Sequence, residues 1–205
     1  MASITALAAQ LGAILQAQNL MLVLAESCTG GMVSQYVTSI PGSSMWFDRA
    51  YITYSNQAKI EMLNVSHQTL KQYGAVSEQV AIEMAHGAFN ISHNRITNVN
   101  LTKANLKSEI NINTTVAASI TGIAGPSLEH KLKRSNVKSQ HKLSIELLVD
   151  SPMIATIEKP IGLVCFAFSI NHKVIAHTQH FKGTRRQIRL QATEYVLTQL
   201  IHLLK

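Results

Sequence analysis

An α/β layered fold with a mixed sheet is the architecture that this 205-residue sequence predicts. Short continuous apolar runs read as strands covered on both faces, helix-spaced apolar residues lie between them, and the two patterns alternate along most of the chain. Ile4, Leu7, Ala8, Leu11, Ile14 and Leu15 recur at helical spacing behind Ser3, a residue suited to cap a first turn. Met21 to Ala25 is the first buried strand. Gly30 and Gly31 follow it, and Met32, Val33, Tyr36 and Val37 open a helix that stops before Pro41-Gly42. Phe47 to Tyr54 predicts a second strand, Lys59 to Leu63 a helix, Ser77 to Phe89 another, and Val116 to Thr121 a third strand. Ile161 to Ile170 and Val174 to Phe181 predict a hairpin turning at Asn171-His172. The last helix begins after Thr184, where Thr184 and Gln187 have the spacing of a capping box, and runs to the end.

Residues 92–113, rich in Asn, Thr and Lys, and residues 127–158, basic and then mixed, supply no regular core pattern. They read as two long loop insertions within one domain spanning residues 1–205. With 46% hydrophobic and only 14% charged residues, the chain is too apolar to be disordered.

The net charge of +7 is lopsided. Residues 1–100 carry four basic against five acidic groups, and residues 101–205 carry fourteen against six. Five of those cations lie between Lys131 and Lys142, a block that reads as a solvated loop rather than the continuous stripe of a nucleic-acid surface. Nucleic-acid binding is therefore not expected. The two cysteines, Cys28 and Cys165, make no disulfide framework, and neither they nor the scattered histidines have zinc spacing. No metal is expected. No Lys or Arg precedes Arg49, and Gln10, Gln16, Gln18 and Asn19 interrupt the apolar residues of the first helix, so a signal peptide is not expected. The longest apolar run, Ile161 to Ile170, is well short of the roughly 20 residues of a membrane span. A cytoplasmic protein with no membrane contact is the expectation.

Three stretches carry chemistry. In AESCTGG, residues 25–31, an apolar strand runs straight into Glu26, Ser27, Cys28, Thr29, Gly30 and Gly31 and then a helix. Ligands of open α/β sheets bind beyond the carboxyl ends of strands, where unpaired helix-start N–H groups point outward. Ser27 would combine a nucleophile with a ready-made oxyanion site, although most Ser and Thr residues at helix starts only cap. Cys28 is a rival nucleophile, but neighbouring side chains point apart and only one can face a pocket. In YITYSNQAK, residues 51–59, Tyr54 would end a strand and Lys59 would fall in the first turn of a helix. The helix N-terminus disfavours a cation there by roughly 0.3–1 kcal/mol, which lowers the lysine pKa as a general base requires. A solvated lysine and a core tyrosine are the plain alternatives. In FKGTRRQIR, residues 181–189, Arg185 and Arg189 share a helix face behind Thr184 and could clamp an anion. Ser43, in the turn SIPGSSMWF, and Gly122, in the glycine loop TGIAGP, are further candidates to line the pocket.

Taken in order, AESCTGG, IPGSSMWFDRAYITYSNQAK, GAVSE, ITGIAGP, KPIGLV and FKGTRRQIRLQA resemble the C-terminal domain of the competence/damage-inducible CinA family. That resemblance implies a three-layer α/β/α sandwich, a homo-oligomer with a dimer as the first expectation, and no cofactor. It also implies hydrolysis of the carboxamide of nicotinamide mononucleotide to nicotinate mononucleotide and ammonia. Ser27 would be the nucleophile and Lys59 its base, with Tyr54 positioning or relaying the proton. Backbone N–H groups near Cys28 to Gly30 would hold the oxyanion. Glu26, Cys28, Thr29, Gly30, Gly31, Ser43 and Gly122 would line the ligand loop and pocket, and Arg185 and Arg189 would fall near the phosphate. Two departures stand out: the segment at 127–158 is longer than the family's short Gly-rich link, and Thr184 stands where an acidic residue is usual. The competing reading is a non-catalytic nucleotide-binding or regulatory module that keeps the pocket.

Overall fold

The computed structural model describes residues 3–102, 114–125, 159–170 and 173–205. Ser3 accepts a hydrogen bond from the amide of Ala6 at 3.1 Å and so starts α1, Ile4–Ala17. β1 is Leu20–Glu26, α2 is Met32–Thr38, β2 is Phe47–Ile52 and α3 is Asn56–Leu63. α4 (His67–Tyr73), α5 (Glu78–Thr102), β3 (Thr114–Gly122), β4 (Leu163–Ile170), β5 (Lys173–His180) and α6 (Arg185–Leu203) complete the order. A short 3-10 turn, Ser43–Met45, precedes β2.

The sheet runs β2-β1-β3-β4-β5. β1 is parallel to both β2 and β3, whereas β3–β4 and β4–β5 are antiparallel, so the sheet is mixed as expected. Alternation along the strands divides the core into two faces. Leu22 and Leu24 of β1 pack with Val116, Ala118 and Ile120 of β3 and Val164, Phe166 and Phe168 of β4 beneath α1, α2 and α6. Val23, Ala25 and Ala117 face the other way, onto α3, α4 and α5. The result is an α/β/α sandwich. Each fully buried Leu or Val of β1 contributes about 1.5–3 kcal/mol of burial.

Several boundaries differ from the sequence reading. β2 ends at Ile52, so Tyr54 lies beyond the strand. α3 begins three residues before Lys59, because Ser55 caps it by accepting from the amide of Ala58. α4 is absent from the sequence reading; its seven residues are too few to show a full apolar period, and Ser66 and Gly74 define it instead. α5 continues to Thr102 past Phe89, so residues 92–102 are helix rather than loop. The remainder of the first expected insertion (103–113), all of the second (127–158) and the hairpin tip Asn171-His172 lie outside the described residues. The capping box is present, with Thr184 accepting from the Gln187 amide and the Gln187 side chain accepting from the Thr184 amide.

Candidate active site

The site gathers at the carboxyl ends of β1, β2 and β3. β1 ends in Glu26, and the chain turns at once: Ser27 donates its amide to the Ile120 carbonyl at 2.9 Å, and Gly30 donates its amide back to the Ser27 carbonyl at 3.0 Å. Gly30 and Gly31 take φ of 57° and 88°, left-handed values that a Cβ would strain. That turn points Ser27 and Cys28 in opposite directions. Cys28 enters the core beneath α1, α2 and α6, where burial pushes its thiol up to about 12. A thiol held protonated and enclosed is no nucleophile at neutral pH.

Ser27 faces Lys59. The amine lies 3.1 Å from Ser27 Oγ and donates to the Thr53 carbonyl at 2.8 Å, and Lys59 is 1% exposed. Among the described residues no acidic side chain pairs with it. A lysine removed from water without a counter-charge favours its neutral form. Burial lowers its pKa from 10.5 to about 8. The sequence reading attributed this to the helix N-terminus; the cause is desolvation. Thr53, which that reading missed, orients the amine through its main-chain oxygen, an atom that no residue-type pattern reveals. The Thr53 amide is itself held by the Glu26 carbonyl at 2.8 Å.

Glu26 does not line the ligand space. It is fully buried, and its carboxylate accepts from the amides of Gly31 (2.9 Å), Val33 (3.3 Å) and Ser34 (2.9 Å) and from Ser34 Oγ (2.5 Å). Those bonds, with the Gly30–Ser27 turn, consume the amides of Gly30 and Gly31 that were expected to face an oxyanion. The amides of Cys28 and Thr29 make no hydrogen bond to another residue among the described ones. Of the amides expected to hold an oxyanion, those two are the ones left available.

Arg185 and Arg189 of α6 close the other side, one helical turn apart. Arg189 donates Nη2 to the Thr29 carbonyl at 2.5 Å, and a Cβ on Gly30 would stand 3.5 Å from that nitrogen. The buried Nε of Arg189 and the buried hydroxyls of Thr29 and Thr53 have no partner among the described residues. Arg185 donates Nη2 to the Tyr54 hydroxyl at 2.6 Å, and Tyr54 is 62% exposed. Tyr54 thus stands with the arginines, hydrogen-bonded neither to Lys59 nor to Ser27, and the expected proton relay has no direct contact behind it.

Two further expectations need correction. Ser43 lies ahead of the amino end of β2, and the Trp46 carbonyl beside it accepts the Leu22 amide near the start of β1. The turn 39–46 is therefore at the opposite end of the sheet from Ser27. Gly122 is a packing glycine: a Cβ there would fall 2.8 Å from Val164 Cγ2 and 3.1 Å from Cys28 Sγ. Among the described residues no cluster of His, Cys, Asp or Glu has metal-site geometry, and no helix is long and apolar enough to cross a membrane.

The chain is similar to known proteins. The family model described as CinA C-terminal domain matches residues 4–102 and 149–204. A nicotinamide-nucleotide amidohydrolase PncC of Enterobacter agglomerans is 38% identical over 93% of this chain and 89% of its own length. The protein of the same name in Escherichia coli K12 is 36% identical over 95% of this chain and 90% of its own. Among solved structures, a competence-damaged protein (CinA) superfamily protein from Enterobacter cloacae superposes with a TM-score of 0.74 at 25% identity, covering 100% of this chain and 94% of that one.

Proposed function

The chain belongs to the CinA C-terminal domain family, and we propose that it hydrolyses the carboxamide of a nicotinamide nucleotide, releasing ammonia. One observation carries the reading: an uncharged-leaning amine, Lys59 Nζ, lies 3.1 Å from Ser27 Oγ, with both groups buried at a sheet's rim. In its neutral form Lys59 takes the Ser27 proton as Oγ attacks the carboxamide carbon, and the Thr53 carbonyl keeps the amine aimed. The C=O electron pair moves onto oxygen, and the amides of Cys28 and Thr29 stabilise that charge. On collapse, the proton now on Lys59 passes to the departing nitrogen, ammonia leaves, and an acyl-Ser27 ester remains. Water, deprotonated by the same amine, attacks the ester; the nicotinate nucleotide departs with its ribose phosphate intact and Ser27 regains its proton. Positive charge on the pyridinium already activates the carbonyl, so a base titrating near 8 suffices.

Arg185 and Arg189 provide guanidinium groups suited to the substrate phosphate, with Tyr54 bridged to the first of them. The intact Ser–Lys pair supports an enzyme over a purely binding module. The test is ammonia release from nicotinamide mononucleotide. Wild-type protein turns over, while Ser27→Ala and Lys59→Met each lose at least about 10³-fold in kcat with the fold retained. Ligand-induced stabilisation without ammonia from wild type would replace the amidase reading with the binding module.

A further inference from the structure

We infer that Glu26 is a positioning residue of the catalytic turn, holding the oxyanion-binding amides in place without touching substrate. The inference rests on the amidase reading for its consequence and on the hydrogen bonds of Glu26 for its geometry. A carboxylate that is 0% exposed makes no contact with solvent or ligand, so its contacts within the chain must account for it. Those contacts converge on one short segment. Oε2 accepts from the Gly31 and Val33 amides, and Oε1 from the Ser34 amide and hydroxyl, which are all donors at or just after the start of α2.

The consequence follows from chain connectivity. Glu26 precedes the nucleophile, and its side chain grips the helix start that follows the turn, so residues 27–30 are a loop pinned at both ends by one residue. Gly31 takes the place of the helix cap but has no side chain with which to cap; the carboxylate of Glu26 does that work from the preceding strand. With the Gly31 amide drawn onto Oε2 and the Gly30 amide onto the Ser27 carbonyl, the Cys28 and Thr29 amides are the ones left in the turn without a partner in another residue among the described ones. The main-chain carbonyl of Glu26 also holds the amide of Thr53, whose own carbonyl aims Lys59. Nucleophile, oxyanion amides and base are thus referred to one buried residue.

Glutamine at this position keeps the size of the side chain but turns one acceptor into a donor facing backbone N–H groups. The experiment compares Glu26→Gln and Ser34→Ala with wild type, measuring kcat, KM, thermal midpoint and the rate at which phenylmethylsulfonyl fluoride sulfonylates Ser27, followed by intact mass. The expected result for Glu26→Gln is a kcat lower by about 10²-fold per folded molecule with KM within about threefold, the split expected of lost transition-state contacts. Ser34→Ala removes one of the four bonds and is expected to lose kcat severalfold, and it decides the matter should Glu26→Gln not fold. In either variant, kcat within twofold of wild type, or a rise in KM alone, overturns the inference. Should wild type label at Ser27 but release no ammonia from nicotinamide mononucleotide, the amidase reading falls while the sulfonylation rates still judge Glu26: slowing by tenfold or more upholds it, and unchanged rates overturn it.

Discussion

Lys59 Nζ lies 3.1 Å from Ser27 Oγ across 32 residues of chain, with no acidic partner for the amine among the described residues. Such a pair works only while the amine is uncharged, and this sets the pH behaviour of the protein.

kcat/KM for amide hydrolysis is expected to rise about tenfold per pH unit below pH 8 and to level off above it, because the base titrates at about 8 rather than 10.5. A pH profile from 6 to 10 at fixed ionic strength checks this. A profile flat between 6 and 9 would remove Lys59 from the role of base.

Stability carries the opposite side of the same shift. The folded pKa of Lys59 is depressed, so between about 8 and 10.5 the unfolded chain binds more protons than the folded one, and stability rises with pH across that window. Below about pH 8 the full penalty is present, roughly 3 kcal/mol for a lysine so deeply buried. Lys59→Met is therefore expected to be more favourable relative to wild type at pH 7 than at pH 10.5. Denaturant midpoints of both proteins at the two pH values test it, and a pH-independent difference would contradict it.

Tyr54 and Arg185 should behave as one unit. Since the tyrosine hydroxyl accepts from Arg185 at 2.6 Å, Tyr54→Phe is expected to resemble Arg185→Ala rather than Lys59→Met. Both variants should raise KM for nicotinamide mononucleotide by roughly tenfold, in line with a lost charge-assisted contact, and change turnover of the phosphate-free nucleoside little. A fall in kcat of Tyr54→Phe comparable to that of Lys59→Met would restore the tyrosine as a proton relay.

Cys28 should resist alkylation although it adjoins the nucleophile. With its thiol pushed to about 12 and 5% exposed, only about one molecule in ten thousand carries the thiolate at pH 8. Iodoacetamide at pH 8 is expected to leave Cys28 unmodified in the native protein and to label it after unfolding, as peptide mass spectrometry would show.

Gly87 is set by contact. A Cβ there would fall 2.0 Å from the Leu63 carbonyl oxygen, because α5 crosses the end of α3 at backbone distance. Gly87→Ala, stabilising in an open helix, is expected to cost about 2 kcal/mol or more and to lower the thermal midpoint by several degrees. The catalytic pair should keep its pH profile.

Much of this molecule is legible in its residues. Met21 to Ala25 read as a strand covered on both faces because the apolar run leaves no polar face, and β1, with helices packed on either side of it, is that strand. Ser3, Thr184 and Gln187 act locally, through bonds three residues long, so the helix starts they mark are where the pattern puts them. Ser27, Lys59, Arg185 and Arg189 come together because each lies next to a glycine turn or helix start at the same end of the sheet.

Other assignments needed the third dimension. Ser43 shares a motif-rich stretch with the site yet lies at the far end of β2, since α2 carries the chain back across the sheet before the strand begins. Glu26 looks like a ligand-facing acid, and only the path of α2 shows its carboxylate turned inward onto backbone donors. The amine of Lys59 owes its altered proton affinity to the water excluded around it, a property of packed surroundings rather than of its place in a helix. Periodicity and local capping are written in neighbouring residues and so determine the elements and the end of the sheet where chemistry gathers. Which polar atom faces which depends on main-chain carbonyls and amides brought together from distant segments, and these carry no residue identity from which to read them.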